Sequence, residues 1–185
     1  MRVLAISGSL RRGSYNTQLL RAAEELVPGD VTLELYDELE SVPPYNEDRD
    51  TDEAPPAVVR LREAIAGADA VLVATPEYNG SVPGQLKNGI DWVSRPVGAG
   101  AALWGKPVAV VGASTGMYGA VWAQAELRKI LGTAGARVVD AEVAVGRAAE
   151  RFDENDRLID EEIRDELSEA VGALVATAGP QLVAA

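Results

Sequence analysis

Short apolar runs alternate along this chain with stretches whose apolar residues recur every three or four positions. The runs are Val3-Leu4-Ala5-Ile6, Val31 to Leu35, Ala70 to Ala74 and Pro107 to Gly112, and Arg137-Val138-Val139 opens one more that reaches about Val145. Compact apolar runs bounded by turn formers read as buried strands. Between them, Leu19, Leu20, Ala23, Leu26 and Val27 share one face of a helix predicted over 16–27. Val58, Leu61 and Ile65 open a second helix, closed by Gly67. Leu86, Ile90 and Val93 mark a third, and Leu127, Ile130 and Leu131 a fourth. A last helix over 161–178 buries Ile163, Leu167, Val171, Leu174 and Val175, with a frayed tail behind it.

Strand followed by helix, repeated down the chain, predicts an α/β fold: a three-layer, doubly wound, five-stranded parallel sheet. The strand count fits the flavodoxin-like order 2-1-3-4-5, whose ligand sits where strands 1 and 3 diverge. Residues 37–57 are polar and carry Pro43, Pro44, Pro55 and Pro56. Folded patterns resume at once after them, so this is a long loop inside a single domain over 1–185.

The two most suggestive loops follow strands 1 and 3. The first is Gly8-Ser9-Leu10-Arg11-Arg12-Gly13-Ser14-Tyr15-Asn16-Thr17. Its glycines let backbone amides turn inward, and Ser9, Ser14, Asn16 and Thr17 add donors. Arg11 can hold an oxyanion with two hydrogen bonds, and the following helix presents its positive end. Gly8 and Gly13 have Walker A spacing, but Ser14 stands where the phosphate-binding lysine belongs, and G-x-G-x-x-G is absent. A terminal monophosphate suits this loop better than a triphosphate or a dinucleotide. An ordinary helix cap would need only one such residue.

The second loop, Pro76-Glu77-Tyr78-Asn79-Gly80-Ser81-Val82-Pro83-Gly84, is stiffened by prolines and opened by glycines. Amides between Glu77 and Gly80 can meet the edge of a flat heteroaromatic ring. Tyr78 lies near that ring or near a partner subunit, and Asn79 holds either the loop or the ligand. Glu77 reads equally as a ring contact and as a solvated carboxylate, and Trp92 as packing. A third turn, Ser114-Thr115-Gly116, follows strand 4 and can reach the ring's far edge through Ser114. Asp48, Asp50 and Asp52 imitate the start of a calcium-binding loop. Glu53 and Val59 stand where such a loop needs glycine and glutamate, so no metal site is assigned.

Composition narrows the chemistry. The chain has 185 residues, a formal charge of -12, and neither histidine nor cysteine. Thiolate and histidine catalysis, disulfides and Cys/His zinc sites are excluded. The acidic balance argues against nucleic acid and against an anionic membrane surface. No apolar run approaches the about 20 residues of a membrane helix, and the N-terminus lacks a signal-peptide core, so the expected location is cytoplasmic. An enzyme built from these residues leaves the difficult step to a cofactor, a carboxylate-bound metal or the substrate.

The residues just quoted resemble the NADPH-dependent FMN reductase family of flavodoxin-like proteins, which includes quinone, azo and chromate reductases. The likeness rests on Gly8-Ser9-Leu10-Arg11 with Ser14-Tyr15-Asn16, and more strongly on Pro76 to Gly84 with Leu86-Lys87-Asn88 and Ile90-Asp91-Trp92. Ser114-Thr115-Gly116, Gln124 to Arg128, and Phe152-Asp153-Glu154 with Leu158 extend it over nearly the whole chain. The resemblance implies bound FMN and NADPH or NADH as co-substrate. Two electrons would pass by hydride transfer to quinones, flavins or similar small acceptors, within a homodimer or homotetramer. It places Ser9, Arg11, Gly13, Ser14, Tyr15 and Asn16 at the FMN phosphate. Pro76, Glu77, Tyr78, Asn79 and Gly80 would border the isoalloxazine, with Ser114 near its pyrimidine end. No side chain is assigned a catalytic role. Gly89, in mid-helix, departs from the family pattern and would loosen the site or admit a partner backbone. A flavodoxin-type electron carrier without its own NAD(P)H oxidation is the main alternative.

Overall fold

A computed structural model describes residues 1–179; the predicted frayed tail, from Pro180 on, lies outside the described residues. The strands are β1 (Arg2–Ser7), β2 (Thr32–Tyr36), β3 (Ala70–Thr75), β4 (Pro107–Ala113), β5 (Arg137–Val138) and β6 (Ala144–Val145). The helices are α1 (Tyr15–Glu24), α2 (Pro56–Ala66), α3 (Gly84–Val93), α4 (Val121–Thr133) and α5 (Glu161–Ala178). Among the described residues the sheet's strands all pair in parallel, in the order β2-β1-β3-β4-β5, with β6 also on β4.

Side chains of successive strand residues point to opposite faces, and the sheet divides the core accordingly. Val3, Ala5, Leu72 and Val111 pack with α1 and α5 on one side. Leu4, Ile6, Val71, Val73, Val108 and Val110 pack with α2, α3 and α4 on the other. The register sets Ser7 beside Ala74 and Thr75 beside Gly112, so β1, β3 and β4 end at one edge. Gly8 N–H extends the ladder to Ala74 O at 2.8 Å. The three polar loops therefore emerge side by side.

The predicted fifth strand is two short pieces rather than one. Val139 N–H still bonds Val108 O at 2.8 Å, but Ala141 N–H then turns back to Val139 O at 3.0 Å. Pairing resumes when Gly112 N–H reaches Val143 O at 2.9 Å. In the gap, the Arg128 guanidinium donates to Val110 O at 3.2 Å and to Ala141 O. An α4 side chain thus satisfies the carbonyls that a continuous ladder would have used.

Helix α1 stops at Glu24, short of the predicted 27, although Leu26 and Val27 keep the apolar spacing and pack on the core. Pro28 disfavours helical geometry at the residue before it. Helix α5 has its predicted bounds, and Asp160 caps it through Ile163 N–H. The long loop contains short 3-10 turns at Leu39–Ser41 and Glu47–Arg49 and is held by α3. Gln85 donates to Leu39 O at 2.7 Å and Asn88 to Pro43 O at 2.9 Å. Trp92, fully buried, donates its indole N–H to Pro43 O at 2.8 Å. Gly89 is explained here: a Cβ on it would lie 2.9 Å from Leu39 Cδ1. Its small size admits this chain's own loop.

Candidate cofactor site

The first loop keeps a run of its backbone donors, from Arg12 to Tyr15, free among the described residues. Ser14 caps α1, its Oγ accepting from Asn16 N–H at 3.2 Å, and the Ser14 hydroxyl hydrogen remains available. Among the described residues, the N–H groups of Arg12, Gly13, Ser14, Tyr15 and Thr17 have no protein acceptor. Arg11 is exposed and has no carboxylate partner among the described residues; its Cζ lies 5.5 Å from the Tyr15 ring centroid. Ser9 Oγ accepts from Arg11 N–H at 3.4 Å. The Asn16 side chain is differently employed: its amide donates to Ala113 O and accepts from Ala113 N–H, both at 2.9 Å. It braces α1 to the end of β4.

The second loop is the reverse case, because its side chains hold its own shape. Tyr78 N–H to Ser81 O at 3.1 Å and Ser81 N–H to Tyr78 O at 3.2 Å close a two-residue turn. Asn79 and Gly80 occupy its centre with φ of 55° and 73°, the backbone that Asn-Gly favours in tight hairpins. Glu77 is not a free loop carboxylate. Its Oε2 accepts from Trp122 N–H and Ala123 N–H, both at 3.1 Å, and so caps α4. Ala120, the residue before α4, is left-handed and has no side chain able to do this. Glu126 on α4 answers in the other direction, accepting from Ser81 Oγ at 2.6 Å and Val82 N–H at 3.2 Å. The Ser81 hydroxyl, then the Val82 amide, hold the Glu126 carboxyl below the usual glutamate range. The amides of Glu77, Asn79 and Gly80 have no acceptor among the described residues.

The third turn joins β4 to α4. Ser114 Oγ accepts from Gly116 N–H at 3.1 Å, and Ser114 N–H bonds Val145 O at 3.0 Å. Gly119, with φ of 58°, presses against β6: an added Cβ would lie 2.3 Å from the carbonyl carbon of Ala144.

One open cleft gathers most of the expected residues. Ser9, Arg11, Ser14, Tyr15 and Asn16 form one side, Pro76, Glu77 and Tyr78 another, and Ala113, Ser114 and Thr115 the third. Gly13, Asn79 and Gly80 shape the loops without lining it. Gly8 lets the first loop pack against α3 and the second loop, since a Cβ there would lie 2.7 Å from Leu86 Cδ2 and 3.3 Å from Pro76 Cδ. Sequence reasoning did not assign Glu126 a function. Its only local signal is its place one turn into a helix beside a loop rich in donors. Free amides at a helix start with an unpaired guanidinium suit a phosphate, and amides across a cleft suit a flat ring with acceptor atoms.

The family model of the NADPH-dependent FMN reductases matches residues 1–150. The chain belongs to this family. An NAD(P)H-dependent FMN reductase of Pseudomonas aeruginosa is 45% identical over 175 residues, 94% of this chain and 93% of that protein. A quinone reductase of Pseudomonas putida is 43% identical over 160 residues, covering 85% and 84%. Among solved structures, the flavoenzyme NAD(P)H:(acceptor) oxidoreductase FerB of Paracoccus denitrificans matches with a TM-score of 0.84 at 38% identity, covering 96% of each chain. Family membership makes this chain an oxidoreductase that uses FMN and a nicotinamide co-substrate, and the electron-carrier alternative gives way to it.

Proposed function

We propose that the protein oxidises NADPH or NADH and delivers two electrons to quinone-type or similar small planar acceptors. The names of its relatives support the acceptor class. The observation that carries the reading is the cleft itself, where the free donors of the first loop face the amides of the second. Ser9, Arg11, Ser14 and the free N–H groups of residues 12–15 and 17 hold the FMN phosphate. Asn16 fixes the floor at Ala113, and the free Glu77 amide and Ser114 orient the ring. Bound FMN supplies the hydride chemistry. The protein positions it and leaves one face open, with Tyr78 at the mouth.

Met117, Tyr118 and Trp122 are more than half exposed beside the third loop. Exposed aromatic surface of this kind supports a homodimer or homotetramer with its interface near the cleft. No helix among the described residues is long and apolar enough to cross a membrane. A cytoplasmic setting and a single FMN-binding domain over 1–185 are part of this reading and rest on the sequence. The test is direct. The purified protein is expected to be yellow and to release FMN. Under anaerobic conditions NADPH or NADH should bleach it, and 1,4-benzoquinone should restore the colour. A flavin left oxidised by both nucleotides would overturn the reading.

A further inference from the structure

The segment after β6 makes a narrow strap that returns to α1. Ile159 N–H bonds Arg151 O at 2.9 Å, and the Arg151–Asp160 ion pair at 2.5 Å closes its neck. Within it, Phe152 and Leu158 bridge in antiparallel fashion. The Asp153 carboxylate accepts from Asn155 N–H at 2.8 Å and Arg157 N–H at 2.9 Å, which fixes the tip. Two residues of α1, three apart and so on one face, grip this strap. Gln18 donates to Asp156 Oδ1 at 2.5 Å. Tyr15 stacks on Phe152 with ring centroids 5.7 Å apart and an interplanar angle of 29°. Tyr15 also carries the Arg11 guanidinium at 5.5 Å from its ring centroid.

We infer that Phe152 is a positioning residue for the phosphate end of FMN, acting through Tyr15 on Arg11. It lies beyond the stretch matched by the family model and contributes no lining to the cleft. The inference rests on the reading that Arg11 meets that phosphate. An exposed arginine samples many rotamers, and each must be given up when it grips an anion. A ring beneath the guanidinium narrows that search before the ligand arrives. The ring holds its own pose only if it is supported, and Phe152, 7% exposed, is the support. The strap thereby turns a packing contact at the end of the fold into affinity at its first loop.

The experiment titrates flavin-stripped full-length protein with FMN and with riboflavin, which lacks the phosphate, following quenching of flavin fluorescence. Phe152→Leu should weaken FMN binding about fivefold and leave riboflavin unchanged, the size of one cation–ring contact. Phe152→Tyr keeps the stack and should restore the wild-type value. In the Arg11→Ala background, Phe152→Leu should have no further effect, as two residues on one path require. Equal losses for both flavins, or losses that add to those of Arg11→Ala, would overturn the inference and leave Phe152 as packing only. If circular dichroism shows Phe152→Leu unfolded, Phe152→Met, which keeps more of the buried volume and still removes the ring beneath Tyr15, is read in its place. A wild-type protein that binds riboflavin as tightly as FMN would instead refute the phosphate site itself.

Discussion

The first and second loops are both polar, both rich in glycine, and both line one cleft, yet they are built on opposite plans. In the first, the amides of residues 12–15 and 17 are free and Arg11 has no acidic partner among the described residues. In the second, Glu77 and Ser81 are engaged with α4, and Asn79 sits at the centre of a tight turn. The first loop can meet charge because α1 already fixes its backbone. The second must first hold a left-handed pair of residues in place, and it uses side chains for that purpose. A polar side chain in a binding loop is therefore as often a strut as a contact.

The largest effect is expected where the struts take their anchorage. Gly119→Ala would add a Cβ 2.3 Å from the Ala144 backbone at a positive φ, displacing the start of α4. It should lower stability by about 3 kcal/mol, read by urea unfolding, and FMN retention should fall with it. A fully stable Gly119→Ala protein would show that the second loop does not depend on α4. Next comes Arg11→Ala, which should weaken FMN about tenfold while leaving the melting temperature unchanged. Unaltered affinity would remove the contrast between the loops. Glu77→Ala removes the cap of α4 and should cost about 1 kcal/mol of stability, with a smaller loss of FMN affinity than Arg11→Ala. A Glu77→Ala variant that lost FMN more severely than Arg11→Ala, at unchanged stability, would make Glu77 a ligand contact rather than a strut.

The smallest effect is a pH dependence. The Glu126 carboxyl titrates lower in the folded chain than in the unfolded one. Its contribution is therefore present above the ordinary glutamate value, about pH 4, and disappears as pH falls through the lowered folded value. Glu126→Gln should melt below the wild type at neutral pH, and the gap should close in acid. A gap that is constant with pH would mean that the charge on Glu126 does not matter to the clamp.

Much of this was legible because it is local. The prolines and glycines of 76–84 announce a loop, Gly67 ends α2, and the apolar spacing of α5 gives both of its ends. The cleft followed from strand order and from donors clustered after β1, β3 and β4. What escaped reading depends on residues distant in the chain. Glu77 caps a helix 45 positions away. The break between β5 and β6 is stabilised by Arg128, whose own helix gives no hint of that task. Gly89 is a weakness in α3 by helix propensity alone, and Leu39 packing against it supplies the reason for it. Periodicity reports which face of an element is buried, and it does not report which neighbour arrives there.

The Arg128 insertion has one more effect, on how these molecules behave in a crowded solution. A long, straight sheet margin offers neighbouring chains a row of amides and carbonyls on which to zip, the first step toward fibrils. Here that margin is cut into two-residue lengths with a cation between them. The border next to β4 is too short and too interrupted to recruit another strand.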